Sequence, residues 1–98
     1  MTCWTITKDY LADPNARPGT NSNAVGIVGR PCGARLTAQQ IIEHPDAKRF
    51  RMLDDDGEIN YEGYIVGSDE FAPLDHFGEP NAGCTSIQVQ ENGAWVYV

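Results

Sequence analysis

Alternation opens the chain. In residues 3–10 (CWTITKDY), Trp4 and Ile6 fall on one side of an extended backbone and Thr5 and Thr7 on the other, and β-branched and aromatic types dominate. That period of two predicts a strand. Asp13-Pro14 interrupts it, and the stretch that follows to Gly33 holds four Gly, three Pro and three Asn around one short apolar run, Ala24 to Val28. Punctuation this dense predicts an irregular connection over 13–33, long for a small domain, that either moves or wraps the surface with a role of its own. Thr37 followed three residues later by Gln40 makes a capping box, Ile41-Ile42 supplies apolar positions, and Pro45 marks a stop. A helix of about two turns is too short to stand alone, so Leu36, Ile41 and Ile42 are expected to pack on a sheet.

Two hairpins follow. Residues 49–66 (RFRMLDDDGEINYEGYIV) carry strand-like runs on either side of Asp55-Asp56-Gly57, and Asp-Gly supplies the positive φ values of a tight turn. A two-residue loop at Asp56-Gly57 sets Met52 opposite Tyr61 and Arg51 opposite Glu62, gathering Phe50, Met52, Ile59 and Tyr61 on one face. A three-residue loop would instead bring Phe50 against Glu62. Near the C-terminus, Asn92-Gly93 separates residues 85–90 from 94–98, the strongest short hairpin signal in the chain. Val89 then pairs with Val96 and Ile87 with Val98, one apolar face; Gln88, Gln90, Trp95 and Tyr97 make the other. Residues 67–83 hold Pro73, Gly78, Pro80, Asn81 and Gly83 and read as a second irregular segment, anchored by Phe71, Leu74 and Phe77. The expected fold is therefore a single α+β domain over residues 1–98: a mainly antiparallel sheet of four to five strands, built from two hairpins plus the N-terminal strand, with one short helix and two long loops.

Composition bounds what such a domain can do. Ninety-eight residues, 41% hydrophobic and 21% charged, fit one soluble globular domain rather than a multidomain enzyme or a disordered tail. No run approaches the roughly 20 apolar residues of a spanning helix, and residues 1–10 lack the pattern of a secretory signal, so a cytoplasmic address and no membrane partner are expected. A chain this size buries somewhat over 60% of its unfolded surface, which leaves little room for a deep catalytic cleft. Cys3, Cys32 and Cys84 are odd in number and widely spaced, a pattern of free thiols in a reducing compartment rather than of a disulfide framework or a metal knuckle.

Charge is asymmetric as well as negative. The net of -7 divides into seven basic against four acidic residues up to Leu53, and ten carboxylates with no Lys or Arg from Asp54 onward. An acidic half repels nucleic acid and attracts basic protein surfaces, so no direct nucleic-acid partner is expected. Lys48, Arg49 and Arg51, the only dense basic cluster, are expected to pair with the acidic strand beside them.

Candidate chemistry is sparse. The run Asp54-Asp55-Asp56-Gly57-Glu58 suggests a calcium loop, but with Gly57 as its sixth position the first would be Met52 and the twelfth Gly63, so it reads as a polar hairpin tip. Cys84, with Asp75 and His76 upstream, could form an imidazole-activated thiolate, although a Cys entering a strand beside Gly is more often a small buried residue. The glycines at Gly26 and Gly29 lack both the dinucleotide fingerprint and a phosphate-loop lysine. No metal and no cofactor is implied. Trp95 and Tyr97 stand out, because such aromatics on an outer sheet face are typical contact anchors unless another segment covers them.

The segments FRMLDDDGEINYEG (50–63), PLDHFGEPNAGCTSI (73–87) and TNSNAVG (20–26) resemble a group of small proteins encoded in bacterial genomes and their mobile elements. The resemblance spans most of the chain, implies a complete small protein and carries no established activity, catalytic residue or ligand. Taken together, the residues favour a non-enzymatic cytoplasmic protein-binding module. Asp54, Asp55, Asp56 and Glu58 would steer it to a partner with a basic surface, and Trp95 and Tyr97 would anchor it. Carriage by a mobile element would make an acidic inhibitor or accessory protein acting on a basic host protein a specialisation of that reading. A symmetric homodimer through the same face is a further expectation. The competing class is a small-molecule or metal-binding enzyme using Cys84 and His76, with Asp75.

Overall fold

Five strands carry the fold, each on a run that the periodicity marks. The computed structural model describes residues 2–29 and 36–98. The strands are β1 (Cys3–Asp9), β2 (Lys48–Leu53), β3 (Ile59–Val66), β4 (Ser86–Glu91) and β5 (Ala94–Tyr97). Their spatial order is β1-β3-β2-β4-β5, and every neighbouring pair is antiparallel. The two hairpins thus fuse through β2 and β4, while the N-terminal strand adds to the other side of β3. The result is an α+β domain dominated by its sheet.

The β2–β3 turn departs from the two-residue loop. Asp54 N–H donates to the Glu58 carbonyl and Gly57 N–H to the Asp54 carbonyl, both at 3.0 Å, so Asp55, Asp56 and Gly57 form a three-residue loop, with Gly57 at φ 79°. A bulge then restores the register: Leu53 pairs with Ile59, Asn60 is the extra residue, and Met52 still faces Tyr61. The cost is that Ile59 moves to the face opposite Tyr61, whereas Asn60 is buried. Phe50 and Gly63, not Phe50 and Glu62, end up opposite each other.

One face of the sheet makes the core. Trp4, Ile6, Phe50, Met52, Tyr61, Ile65, Ile87 and Val89 project from it and meet Ala24, Ala72, Leu74 and Phe77 from the connections. Phe77 lies against Tyr61 and Trp4, with ring centroids 5.2 and 6.0 Å away. The segment expected to be irregular over 67–83 supplies this cover with regular structure: a π-helical turn, Leu74–Gly78, runs into α2 (Glu79–Ala82), which stops at Gly83 in the left-handed conformation. Pro80 is tolerated because it sits in the first turn of α2, where backbone N–H groups have few partners to lose. Of the three expected anchors, Leu74 and Phe77 are buried and Phe71 is exposed.

The opposite face is covered in part. The helix α1 (Ala38–Ile42) is shorter than two full turns but has the expected capping box, Thr37 Oγ1 accepting from Gln40 N–H and the Gln40 side chain accepting from Thr37 N–H. It packs on β1 and β3. Ile41 is completely buried yet stands outside the main core, as do Cys3 and Thr5, which alternation directs away from that core. We therefore place α1 over the β1–β3 end of the outer face.

The two edges of the sheet are unlike. The run Ala24 to Gly29 lies along β1: Ile6 N–H donates to the Ile27 carbonyl (3.1 Å), Gly26 N–H to the Ile6 carbonyl (2.9 Å) and Gly29 N–H to the Trp4 carbonyl (2.7 Å). The described part of the long connection thus wraps, and its last residues, 30–33, lie outside the described residues. At the other edge β5 has β4 as its only strand neighbour among the described residues. Its pairing matches expectation, with Val89 opposite Val96 and Val98 N–H donating to the Ile87 carbonyl at 3.1 Å. However, Ile87 and Val89 are buried while Val96 and Val98 remain 42% and 37% exposed, because the core cover ends before it reaches β5. A uniformly buried apolar face was expected there, and only its β4 half exists.

Cys3 is disulfide-bonded and Cys84 is free, while Cys32 lies outside the described residues. This replaces the expectation of three free thiols and removes the cysteine argument for a reducing compartment. Among the described residues no helix is long and apolar enough to cross a membrane.

Candidate interaction face

Strand alternation and the β2–β4 junction build the open part of the outer face. Arg51 lies opposite Glu62 on one side and Gln88 on the other, and Gln88 lies opposite Tyr97; one step along, Arg49 faces Tyr64, and Gln90 faces Trp95. The two arginines form a seat for Trp95, their guanidinium carbons 4.2 Å (Arg51) and 5.4 Å (Arg49) from the indole centroid. Cation–π contacts of this kind contribute about 0.5–1 kcal/mol each at partly exposed sites. Tyr97, in contrast, is 67% exposed and has no ring partner among the described residues.

The arginines are themselves fixed. Arg51 Nε donates to Gln88 Oε1 at 2.6 Å, and Arg49 Nη2 donates to Glu62 Oε1 at 3.0 Å. The cross-strand pair expected between Arg51 and Glu62 is thus replaced by a diagonal ion pair from Arg49. The Tyr10 hydroxyl donates to Glu62 Oε2. That hydrogen bond, with smaller contributions from burial and from the Glu62 charge, pushes the Tyr10 pKa above the ordinary tyrosine value against the opposing pull of Arg49 and Arg51. Tyr10, Glu62, Arg49, Arg51, Gln88 and Trp95 are one connected assembly that pre-positions an aromatic plane on an otherwise polar face.

The acidic tip is a separate feature at the end of the same sheet. Asp54 is structural: its Oδ1 accepts from Asp56 N–H (2.9 Å) and Glu58 N–H (3.0 Å) and holds the loop. Asp55, Asp56 and Glu58 are exposed, and none joins an ion pair among the described residues. Three residues along β2 and two strand steps separate this tip from Tyr97, about 14 Å at roughly 3.3 Å per residue and 4.8 Å per strand. Among the described residues no cluster of three or more His, Cys, Asp or Glu side chains is arranged to hold a metal ion.

The Cys84, His76 and Asp75 set is not assembled. Cys84 is buried, and its Sγ receives a hydrogen bond from Asn60 Nδ2 at 3.6 Å, whereas Asp75 and His76 are exposed on the π-helical turn. Burial pushes the thiol up from its ordinary range; the Asn60 hydrogen bond opposes this and the Asp54 charge adds to it. A nucleophile requires the opposite shift. Nearby, burial also raises the Tyr61 pKa, opposed by the hydrogen bond from Asn81 Nδ2 to its hydroxyl at 3.1 Å.

The sequence singles out Trp95, Tyr97 and the tip as candidates but gives no sign of the seat. Tyr10 closes the predicted strand, where plain alternation puts it on the face of Trp4 and Ile6; the register shift between Ile6 and Lys8 moves it to the face of Glu62. The proximity of Arg49 and Arg51 to Trp95 depends on β2 pairing with β4, which no rule local to either hairpin supplies. No protein-family model, curated protein or solved structure matches the chain.

Proposed function

We propose that the protein is a non-enzymatic binding module that engages another protein through the open outer face of β2, β4 and β5. The observation that carries this reading is Trp95 held over Arg49 and Arg51 beside the exposed Tyr97. A large aromatic plane that is already immobilised loses little conformational entropy on binding, and Trp, Tyr and Arg are the residue types that dominate interface energetics. The exposed carboxylates of Asp55, Asp56 and Glu58, in a chain of net charge -7, support a partner with a basic surface, attracted over distance and then anchored by the aromatics.

The test is affinity capture from a lysate of the source organism, followed by association kinetics with the captured protein. Trp95→Ala is expected to weaken binding by about 30-fold or more, the effect of losing an interface anchor of roughly 2 kcal/mol. Replacing Asp55 and Asp56 with Asn and Glu58 with Gln is expected to slow association several-fold and to flatten its salt dependence, leaving dissociation nearly unchanged. An unaltered set of captured proteins with Trp95→Ala would refute the assignment of the face.

A further inference from the structure

We propose that two copies of this chain pair antiparallel through the free edge of β5, with Val96 facing Val96 of the second copy on a two-fold axis, to form one continuous sheet. Unlike the partner-binding reading, this inference uses the strand's edge and not its outer face.

The contrast between the two sheet edges motivates it. β1 is covered by the backbone of Ala24 to Gly29, whereas among the described residues nothing but β4 pairs with β5. Exposed edges are ordinarily protected by a charge, a proline, a bulge or a covering segment. The sequence Ala94-Trp95-Val96-Tyr97-Val98 has no charged side chain and no proline, and its register with β4 is continuous. Its apolar side chains are open on both faces, Val96 and Val98 on one and Tyr97 on the other.

Hydrogen-bond geometry selects the register. Val98 N–H points inward to the Ile87 carbonyl, and Val96 lies opposite Val89. Alternation then directs the N–H and C=O groups of Trp95 and Tyr97 outward. An antiparallel partner satisfies all four only when Trp95 of one copy lies opposite Tyr97 of the other. That register places Val96 against its own mate and Ala94 against Val98 of the second copy, in a self-complementary, closed contact. Each copy also contributes Tyr97 to the other's Trp95–arginine assembly, extending two outer faces into one surface.

Charge bears on both site and strength. Two molecules of net charge -7 repel each other, so a neutral strip is where they can approach most closely. Glu91, the nearest carboxylate on the hairpin, is paired with Lys48 at 3.0 Å. A contact of five residues per copy lies at the low end of interface size, which sets the expected affinity in the micromolar range. Salt should strengthen the dimer by screening repulsion, the reverse of its effect on a basic partner steered by the acidic tip.

Sedimentation of the intact protein from micromolar to millimolar concentration, at low and raised salt, is the first arm of the test. The mass should rise from 10.8 kDa towards twice that value, and at lower concentration when salt is added. Hydrogen–deuterium exchange on the same samples is the second: the amides of Trp95 and Tyr97 should gain protection with concentration while that of Val96 stays unchanged. Val96→Lys, at an already exposed position, should remain monomeric with an unchanged circular dichroism spectrum. A protein that is monomeric throughout, or a dimer whose Trp95 and Tyr97 amides exchange as freely as in the monomer, would overturn the proposal. Failure here, with salt-sensitive partner capture intact, leaves the outer-face reading standing.

Discussion

Replacing Glu62 with Gln tests whether a single carboxylate holds the aromatic seat in place. The Glu62 side chain is 12% exposed and accepts from Arg49 and from the Tyr10 hydroxyl. Gln keeps the shape but removes the acceptor's charge, so the Arg49 ion pair becomes a hydrogen bond with one charged partner and the Tyr10 bond becomes neutral, a loss of about 1 kcal/mol each. Because the Arg49 side chain is 42% exposed, solvent screening reduces its share, and the total comes to about 1–2 kcal/mol. In a domain of this size that corresponds to a fall in Tm of roughly 4–16 °C near neutral pH. The pH dependence has a definite sign. The Tyr10 pKa is raised in the folded state, first by the hydrogen bond to Glu62, so this contribution is complete below the ordinary tyrosine pKa of about 10 and is lost as pH rises through the folded value. The stability gap between wild type and Glu62→Gln should therefore narrow above about pH 10. Thermal unfolding followed by circular dichroism, near neutral and in alkali, measures the gap; ultraviolet titration of phenolate should show one late-ionising tyrosine moving to lower pH in the variant. An equal Tm difference at both pH values, together with an unchanged tyrosine titration, would refute the coupling.

Two further outcomes follow from the packing. Gly63→Ala would place a methyl group against the Thr5 carbonyl oxygen, well inside van der Waals contact, and 2.8 Å from the Phe50 ring; a backbone obstacle cannot rotate away, so a loss of about 3 kcal/mol or more and a Tm lower by roughly 12–24 °C are expected in thermal melts, and a change below about 4 °C would contradict the packing. Cys84 should resist thiol reagents in the native protein, because its thiol is buried and its pKa raised; peptide mass mapping should find it labelled only after unfolding, and rapid native labelling removed by His76→Ala would restore the enzymatic alternative.

The legible parts of this protein are those governed by short-range rules. Period-two alternation located the strands. Thr37 and Gln40 marked the cap of α1, and Asn92-Gly93 set the register that puts Trp95 and Tyr97 on one face. Each of these depends on neighbours within a few residues, where backbone geometry is decided by local sterics and local hydrogen bonds. The bulge at Asn60 escaped that logic, because a three-residue loop and an extra strand residue compensate each other and the hairpin sequence reads equally well without either. The π-helical turn and α2 escaped it too: their stability comes from Phe77 packing on Trp4 and Tyr61 and from Leu74 buried in the same core, and Pro80 and Gly83 gave only turn signals.

The candidate site divides along the same line. Its aromatics and carboxylates are visible one by one in the sequence, and the net charge needs nothing more than counting. Their arrangement depends on which strands become neighbours. β2 beside β4 brings Arg49 and Arg51 beneath Trp95, residues more than forty positions apart. β1 beside β3 brings Tyr10 to Glu62, and the cover over the core stops short of β5, which leaves that edge open. Local sequence determined the elements and their faces because those follow from backbone sterics and period. Tertiary structure alone decided the seat, the ion pair and the free edge, because each requires distant segments to share one burial problem, and only the folded sheet solves it.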